Sequence, residues 1–313
     1  MNIVIVGQGA MGLLWHHHFQ QLNEPELTIT VLNSKSFLSK KAETKQTPSE
    51  TQYSFTNIHG YSQQYSYVIA TENHIRNADV LLLCVKSYQV QSALFQISDL
   101  LPKNVQIILA HNGMGTLLDI DKTLQEKHNF LALLTTHGCA RPSLNHIIHT
   151  GHGVSDIGLL SGQLTSTQTQ QLTSTFNQAL PTTSWQQNIV EKQWQKLAIN
   201  CVINPLTALN NVNNGEINNG EFESLKTQII AEIVLIAAAE KQLLSAEILL
   251  TTVNAVALAT AKNCSSMRAD VLANRPTEID YINGYIHKLG MKHKIATPEN
   301  TRLWKQVKEL IEK

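Results

Sequence analysis

Short, unbroken apolar runs set off by polar or glycine-marked turns fill the first part of the chain: Asn2 to Val6 (NIVIV), Leu27 to Leu32, Tyr65 to Ala70, Ala78 to Val85 (ADVLLLCV), Asn104 to His111 (NVQIILAH) and Phe130 to Thr136 (FLALLTT). Continuous rather than alternating hydrophobicity predicts strands covered on both faces, hence a mainly parallel sheet flanked by helices. Ala10 to Leu22 carries the first helical pattern, Ser34 to about Ser54 is polar, and Cys139 to Leu160 reads as a hairpin appended to the sheet.

From Asn188 onward the pattern changes to long helical periodicities: Asn188 to about Asn210, Glu221 to Leu244, Ala246 to Lys262, Thr277 to Leu289 and Pro298 to Ile311. Thr297 is placed to cap the last of these, with Pro298 at the first helical position, where a missing N–H costs nothing. The switch predicts an α/β domain over 1–187 and an all-helical domain over 188–313.

Composition narrows the function classes. The 313 residues carry 24 Lys plus Arg against 24 Asp plus Glu. A neutral chain has no global field to draw it onto nucleic acid or an anionic membrane. The most apolar helical run, Ile229 to Ala239, is broken by Glu232 and is too short to span a bilayer. The N-terminus lacks a basic n-region, so a soluble, cytoplasmic protein is expected. Cys84, Cys139, Cys201 and Cys264 have no C-x-x-C spacing and read as small buried hydrophobes.

Gly7, Gly9 and Gly12 form G-x-G-x-x-G between the first strand and the first helix. In that context the glycines serve a tight turn, close approach of backbone to a pyrophosphate, and close helix-on-strand packing. The loop Gly7-Gln8-Gly9-Ala10-Met11-Gly12 is therefore the candidate dinucleotide site. The second strand ends in Leu32-Asn33-Ser34-Lys35 with no acid until Glu43. A carboxylate there would accept from the ribose of NAD; its absence and the donors present favour NADP, with Lys35 read either as a phosphate ligand or as a solvated loop lysine. No metal is expected. His16, His17 and His18 point about 100° apart on a helix, and a spacing of three along a strand puts His146, His149 and His152 on alternating faces.

In the second half, Lys196, Asn200 and Asn204 recur every four residues on one face of a helix whose other positions include Leu197, Ile199, Val202 and Ile203. A lysine on a helix buried elsewhere implies a wet or ligand-filled cleft, or else a side chain snorkelling to a domain surface. Pro205 would deprive the Cys201 carbonyl of its partner and kink or end the helix. A second polar cluster, Asn263-Cys264-Ser265-Ser266, is followed by Glu278, either a group facing the lysine or the first-turn acid of a helix.

Together, GQGAMG, CVKSYQV at Cys84 to Val90, HNGMGT at His111 to Thr116, KLAINCVINPLTAL at Lys196 to Leu209, NNGE at Asn213 to Glu216, SSM at Ser265 to Met267 and TEIDYINGY at Thr277 to Tyr285 resemble the ketopantoate reductase family over nearly the whole chain. That resemblance implies an N-terminal Rossmann-type parallel-sheet domain, a C-terminal all-helical domain, and NADPH-dependent reduction of ketopantoate to pantoate in the cleft between them, by a monomer or homodimer. By the same resemblance Lys196 is the proton donor, and Glu278 lies near it and the nicotinamide. Asn112 also sits by the nicotinamide, Lys86 near the adenosine ribose, and Cys139 borders the cofactor. Asn200, Asn204, Asn214, Asn263, Cys264, Ser265 and Ser266 match substrate positions, Ser266 at the carboxylate. Asn33 departs from the arginine often found in relatives, with Lys35 or Lys86 as substitutes. A related 2-hydroxyacid dehydrogenase and a non-enzymatic NADP sensor are the alternatives.

Overall fold

The computed structural model describes residues 1–33 and 49–311. Lys35 thus lies outside the described residues. The chain divides into two compact units, Met1–His111 with Leu118–Ile189, and Asn112–Leu117 with Val190–Lys313.

The first unit is built on a seven-stranded sheet. Its strands are β1 (Asn2–Val6), β2 (Thr28–Leu32), β5 (Val80–Leu83), β6 (Gln106–Leu109), β7 (Asn129–Thr135), β10 (Ser155–Ser161) and β11 (Thr183–Trp185). They lie in the order β11-β10-β7-β6-β5-β1-β2. Strands β2, β1, β5, β6 and β7 are mutually parallel, and all four residues of β5 are buried, as continuous apolar strands require. The remaining strands, β3 (Glu50–Thr56), β4 (Ser62–Val68), β8 (Gly138–Ser143) and β9 (His146–Gly151), form a second sheet in the order β4-β3-β9-β8.

That second sheet corrects the expected hairpin, and also the reading of Tyr65 to Ala70 as a strand of the parallel sheet: it falls largely in β4, which runs antiparallel to β3 and is mostly unburied. The β8–β9 pair is not appended to the main sheet; β9 pairs in parallel with β3, and only β10 returns to run antiparallel to β7. The helix Ala10–Gln20 also meets the small sheet. Leu13, Leu14, Trp15 and Phe19 belong to the unit's core, Trp15 lying 5.1 Å from Phe176 between ring centroids. On the small-sheet side His16 Nδ1 lies 3.2 Å from the Tyr53 hydroxyl, and the His17 ring stacks on Phe55 at 3.5 Å. The His18 ring stands 5.4 Å from that of His149. The three consecutive histidines therefore point in different directions along the helix, although His17 and His18 both reach Phe55 and lie 5.2 Å apart between centroids.

The second unit is helical: Ile189–Asn210, Glu223–Ala239, Ala246–Ala259, Ser266–Leu272, Asn283–His293 and Pro298–Ile311. Its core contains Trp194, Leu197, Cys201, Ile229, Ile233, Val253, Ile286 and Leu303. No helix among the described residues is long and apolar enough to cross a membrane.

Pro205 lies inside Ile189–Asn210, and the helix does not stop there. The carbonyl of Cys201, four residues back, instead accepts from Asn283 Nδ2 at 3.0 Å. The same Nδ2 donates to Asn300 Oδ1 at 3.0 Å, and Asn300 Nδ2 donates to Glu232 Oε2 at 2.7 Å. Two acceptors around Nδ2 fix the orientation of the Asn283 amide. The Glu232 carboxylate also accepts from the backbone amides of Glu299 and Asn300, at 2.7 and 2.9 Å. It is therefore Glu232, rather than the Thr297 hydroxyl, that covers the second and third amides of the last helix. A negative charge suits the positive end of that helix dipole. Thr297 keeps the main-chain part of a cap, its carbonyl accepting from Thr301 N at 2.9 Å.

Two predictions follow from this packing. Asn283→Ala removes the donor to Cys201 and Asn300, and should cost about 2–4 kcal/mol of stability in urea denaturation. The loss should shrink in a Pro205→Ala background, where a backbone N–H again reaches Cys201; additive losses would contradict the linkage. In the first unit, burial, then neighbouring histidines, lowers His16 and His17 to about 4 and His18 to about 3. Between those values and 6.5 the unfolded chain binds more protons, so stability is complete above 6.5 and falls as the pH drops toward 4. Thermal midpoints should decline over that window, less steeply in His17→Phe.

Candidate functional site

In the first unit the carboxyl ends of β2, β1 and β5 lie side by side, with Val6 paired to Leu32 and to Leu83. The chain leaves β1 for β2 on one side and later returns as β5 on the other. This change of direction opens the crevice in which open α/β sheets bind ligands. Gly7, Asn33 and, three residues past β5, Lys86 all follow these ends. Lys86 is half-buried, and its backbone amide donates to Gln89 Oε1 at 3.1 Å.

The three glycines have different neighbours. Gly7 has φ +108°, and a Cβ there would stand 2.8 Å from the Cys84 carbonyl oxygen. At Gly12 a Cβ would run into the Gly7 carbonyl, so this glycine allows helix and strand to touch. Gly9 is held by nothing: the nearest atom to its Cβ position is Cys84 O, at 3.9 Å. Its φ of −73° suits any residue, so a glycine here leaves open space beside the backbone rather than relieving strain. Gly9 is also the N-cap of Ala10–Gln20, with no side-chain cap and no acid in the first turn. An open cradle at an uncapped helix N-terminus is fitted to an anion such as a pyrophosphate.

The loop is held from behind by the small sheet. Tyr67 donates to Gln8 Oε1 at 2.7 Å, and Cys139 Sγ donates to the Ala10 carbonyl at 3.4 Å. Burial pushes the Cys139 thiol up to about 12 and raises Cys84 and Cys201 further, so these three are packed thiols rather than nucleophiles. Cys264 differs, being exposed.

In the second unit Lys196 and Asn200 are half-buried and Asn204 is buried, on the helix that also buries Leu197, Ala198, Cys201 and Val202. Asn200 Nδ2 is shielded from solvent and has no hydrogen-bond partner among the described residues. The same holds for Asn214 Oδ1, whose Nδ2 donates to Thr260 Oγ1 at 3.0 Å. Buried amide groups in this condition cost free energy unless a ligand completes them. Asn214 N donates to the Asn263 carbonyl at 3.0 Å, so these two expected residues are neighbours. Ser265 is committed elsewhere: its hydroxyl lies 2.7 Å from Thr207 Oγ1 and accepts from Arg268 N at 3.1 Å, capping the helix Ser266–Leu272. Asn263, Cys264 and Ser266 around it are exposed.

Glu278 is buried, immediately before the 3₁₀ turn Ile279–Tyr281. The segment it opens runs along the lysine helix, through the Asn283 bond to Cys201 and through Tyr285, whose ring centroid is 6.2 Å from that of Trp194. Asn112 joins the same region. Met114 N donates to the Tyr281 carbonyl at 2.8 Å. Gly113 and Gly115 have φ of +85° and +95°; a Cβ on the first would strike Tyr281 O, and one on the second would come within 2.7 Å of the Tyr285 ring. Only glycine fits at either position, which fixes Asn112 beside the Glu278–Tyr285 segment. These two glycines, Thr207 and Asn283 shape the site, yet no single-sequence signal beyond the family motifs marks them.

The pattern of the family described as "Ketopantoate reductase PanE/ApbA" matches residues 3–162, and that of "Ketopantoate reductase PanE/ApbA C terminal" matches 188–311. The 2-dehydropantoate 2-reductase of Vibrio cholerae is 36% identical over 313 residues, covering 99% of this chain and 98% of its own. That of Yersinia pestis is 34% identical over 308 residues, covering 98% and 94%. Among solved structures, a D-mandelate dehydrogenase with NADH and anilino(oxo)acetate superposes with a TM-score of 0.86 at 21% identity, covering 100% of this chain and 99% of that one. A ketopantoate reductase from Ralstonia eutropha gives 0.82 at 23%, with the same coverage. With both halves of the family pattern matched and full-length relatives above 30% identity, the chain belongs to the ketopantoate reductase family of oxidoreductases.

Proposed function

We propose that the protein is a 2-dehydropantoate 2-reductase that uses NADPH to reduce ketopantoate to pantoate. The observation that carries this reading is the polar face of the helix Ile189–Asn210. Lys196, Asn200 and Asn204 lie on a helix otherwise packed in the core, and the Asn200 amide nitrogen has no partner among the described residues. Those groups suit a small ligand bearing a ketone, a hydroxyl and a carboxylate. Ketopantoate, the substrate for which the family is named, is such a ligand.

The loop Gly7-Gln8-Gly9-Ala10-Met11-Gly12 would hold the pyrophosphate, with Cys139 bordering it, Lys86 toward the ribose phosphate and Asn112 by the nicotinamide. When bound, NADPH supplies the hydride that reduces the ketone carbon. Lys196 then acts on the oxygen: its ammonium stabilises the charge that builds there and delivers the proton that makes the alcohol. Buried Glu278 would orient that lysine. Asn200, Asn204 and Asn214 bind the substrate's polar groups through neutral amides. Asn263, Cys264, Ser265 and Ser266 border them, Ser266 presenting its exposed hydroxyl to the carboxylate.

The preference for NADPH rests on the end of β2, where Asn33 stands in place of the carboxylate that an NAD site uses. Loss of NADPH absorbance on adding ketopantoate to the purified protein tests the activity directly; silence with ketopantoate but oxidation by another 2-keto acid would assign a different dehydrogenase. Lys196→Ala should lower kcat at least about a hundredfold while leaving the NADPH Kd, read by fluorescence titration, within roughly twofold. Near-normal turnover would remove Lys196 from the chemistry. The ratio kcat/KM should favour NADPH over NADH by at least roughly tenfold, and Asn33→Asp should narrow it by repelling the 2′-phosphate; preference for NADH in the wild type would overturn the cofactor assignment.

A further inference from the structure

Three histidine rings that the reduction does not use converge in the first unit. His137 follows β7, His149 lies in β9 and His152 just beyond it; one ring nitrogen from each lies within 4.8 Å of the other two. His146 is not among them, because it turns to the Thr56 hydroxyl at 2.8 Å. The strand spacing separates His146 from His149 as expected, but His149 and His152, expected on alternating faces, come together because His152 lies past the end of β9; the return of the chain at His137 supplies the third ring.

The closest approach is 3.4 Å, between His137 Nδ1 and His149 Nε2. A tetrahedral zinc ion with Zn–N bonds of about 2.0–2.1 Å spaces its ligand nitrogens about 3.4 Å apart. A direct hydrogen bond between the rings is the competing account of that distance. His137 Nδ1, however, already accepts from Gly153 N at 3.2 Å, and His137 Nε2 is buried with no hydrogen-bond partner. Close by, His18 has a buried Nε2 without a hydrogen-bond partner. His137 and His149 are buried and His152 is exposed. The trio is thus buried on one side and open to solvent on the other, where the exposed ring of His152 lies.

We propose that His137, His149 and His152 bind one divalent transition ion of the zinc class, with the fourth position left to water. The ion would take the His137 Nδ1 lone pair that now accepts the weak bond from Gly153 N. An ion here would tie the end of β7 to the β8–β9 hairpin, two residues from Cys139, whose thiol holds the Ala10 carbonyl of the glycine loop. The proposal is independent of the reductase assignment.

The test is calorimetric titration of tag-free, EDTA-treated full-length protein with ZnCl₂. Saturable one-to-one binding is expected in the wild type, unchanged in a control variant at an exposed histidine elsewhere, His59→Ala. His152→Ala should weaken it at least tenfold, and because His152 is exposed this variant tests the site with little risk to folding. Absence of saturable binding to the wild type, or binding that His152→Ala weakens by less than tenfold, would overturn the site.

Discussion

One carbonyl governs the helical unit. Pro205 removes the amide that would have bonded Cys201 O, in the middle of a helix whose neighbours on both sides are buried. A buried, unpaired carbonyl costs on the order of 1–3 kcal/mol. Asn283 removes that cost, and through Asn300 and Glu232 the same chain of bonds reaches the amides that open the last helix. The lysine helix, the Glu278 segment and the C-terminal helix are thereby held in one register. Apolar packing alone would tolerate sliding among them; directional bonds from a single amide do not.

Against that rigid frame the site is left incomplete in particular places. Asn200 Nδ2 and Asn214 Oδ1 are shielded and unbonded, and Gly9 faces open space at an uncapped helix end. Elsewhere polar groups of comparable burial, such as Thr207, Ser265 and Asn300, are bonded. The unbonded condition is shared by Thr30 Oγ1, Gln106 Oε1 and Asn283 Oδ1, so by itself it does not mark a ligand site. The polar cluster around Asn263 also divides: the hydroxyl of Ser265 is used as a cap, whereas that of Ser266 is exposed.

The parallel strands were legible because continuous apolar runs have few alternatives, and β1 and the helix Pro298–Ile311 begin and end where the pattern places them. The strand β3 was not, since Glu50–Thr56 is polar except where Tyr53 and Phe55 turn inward; it pairs with nearby β4 and, some ninety residues on, with β9. The hairpin was assigned to the wrong sheet for the same reason. Pro205 was read correctly as freeing a carbonyl, but a local pattern does not reveal a donor 82 residues downstream. Lys196, Asn200 and Asn204 were visible from spacing alone. The histidine trio was not, because two of its members are close in sequence and the third arrives from another strand.

The short segment Asn112–Leu117 groups with the helical unit although it lies between stretches of the sheet unit. The chain therefore passes from one unit to the other three times: after His111, after Leu117 and after Ile189. The two units are not modules on a string. A single cut near residue 188 would leave the helical part without Met114 in its core and without the Met114 amide bonded to Tyr281. The sheet part would keep a glycine-rich loop folded for a surface it no longer has. Inheritance, truncation and domain exchange must accordingly treat this chain as one interlaced object.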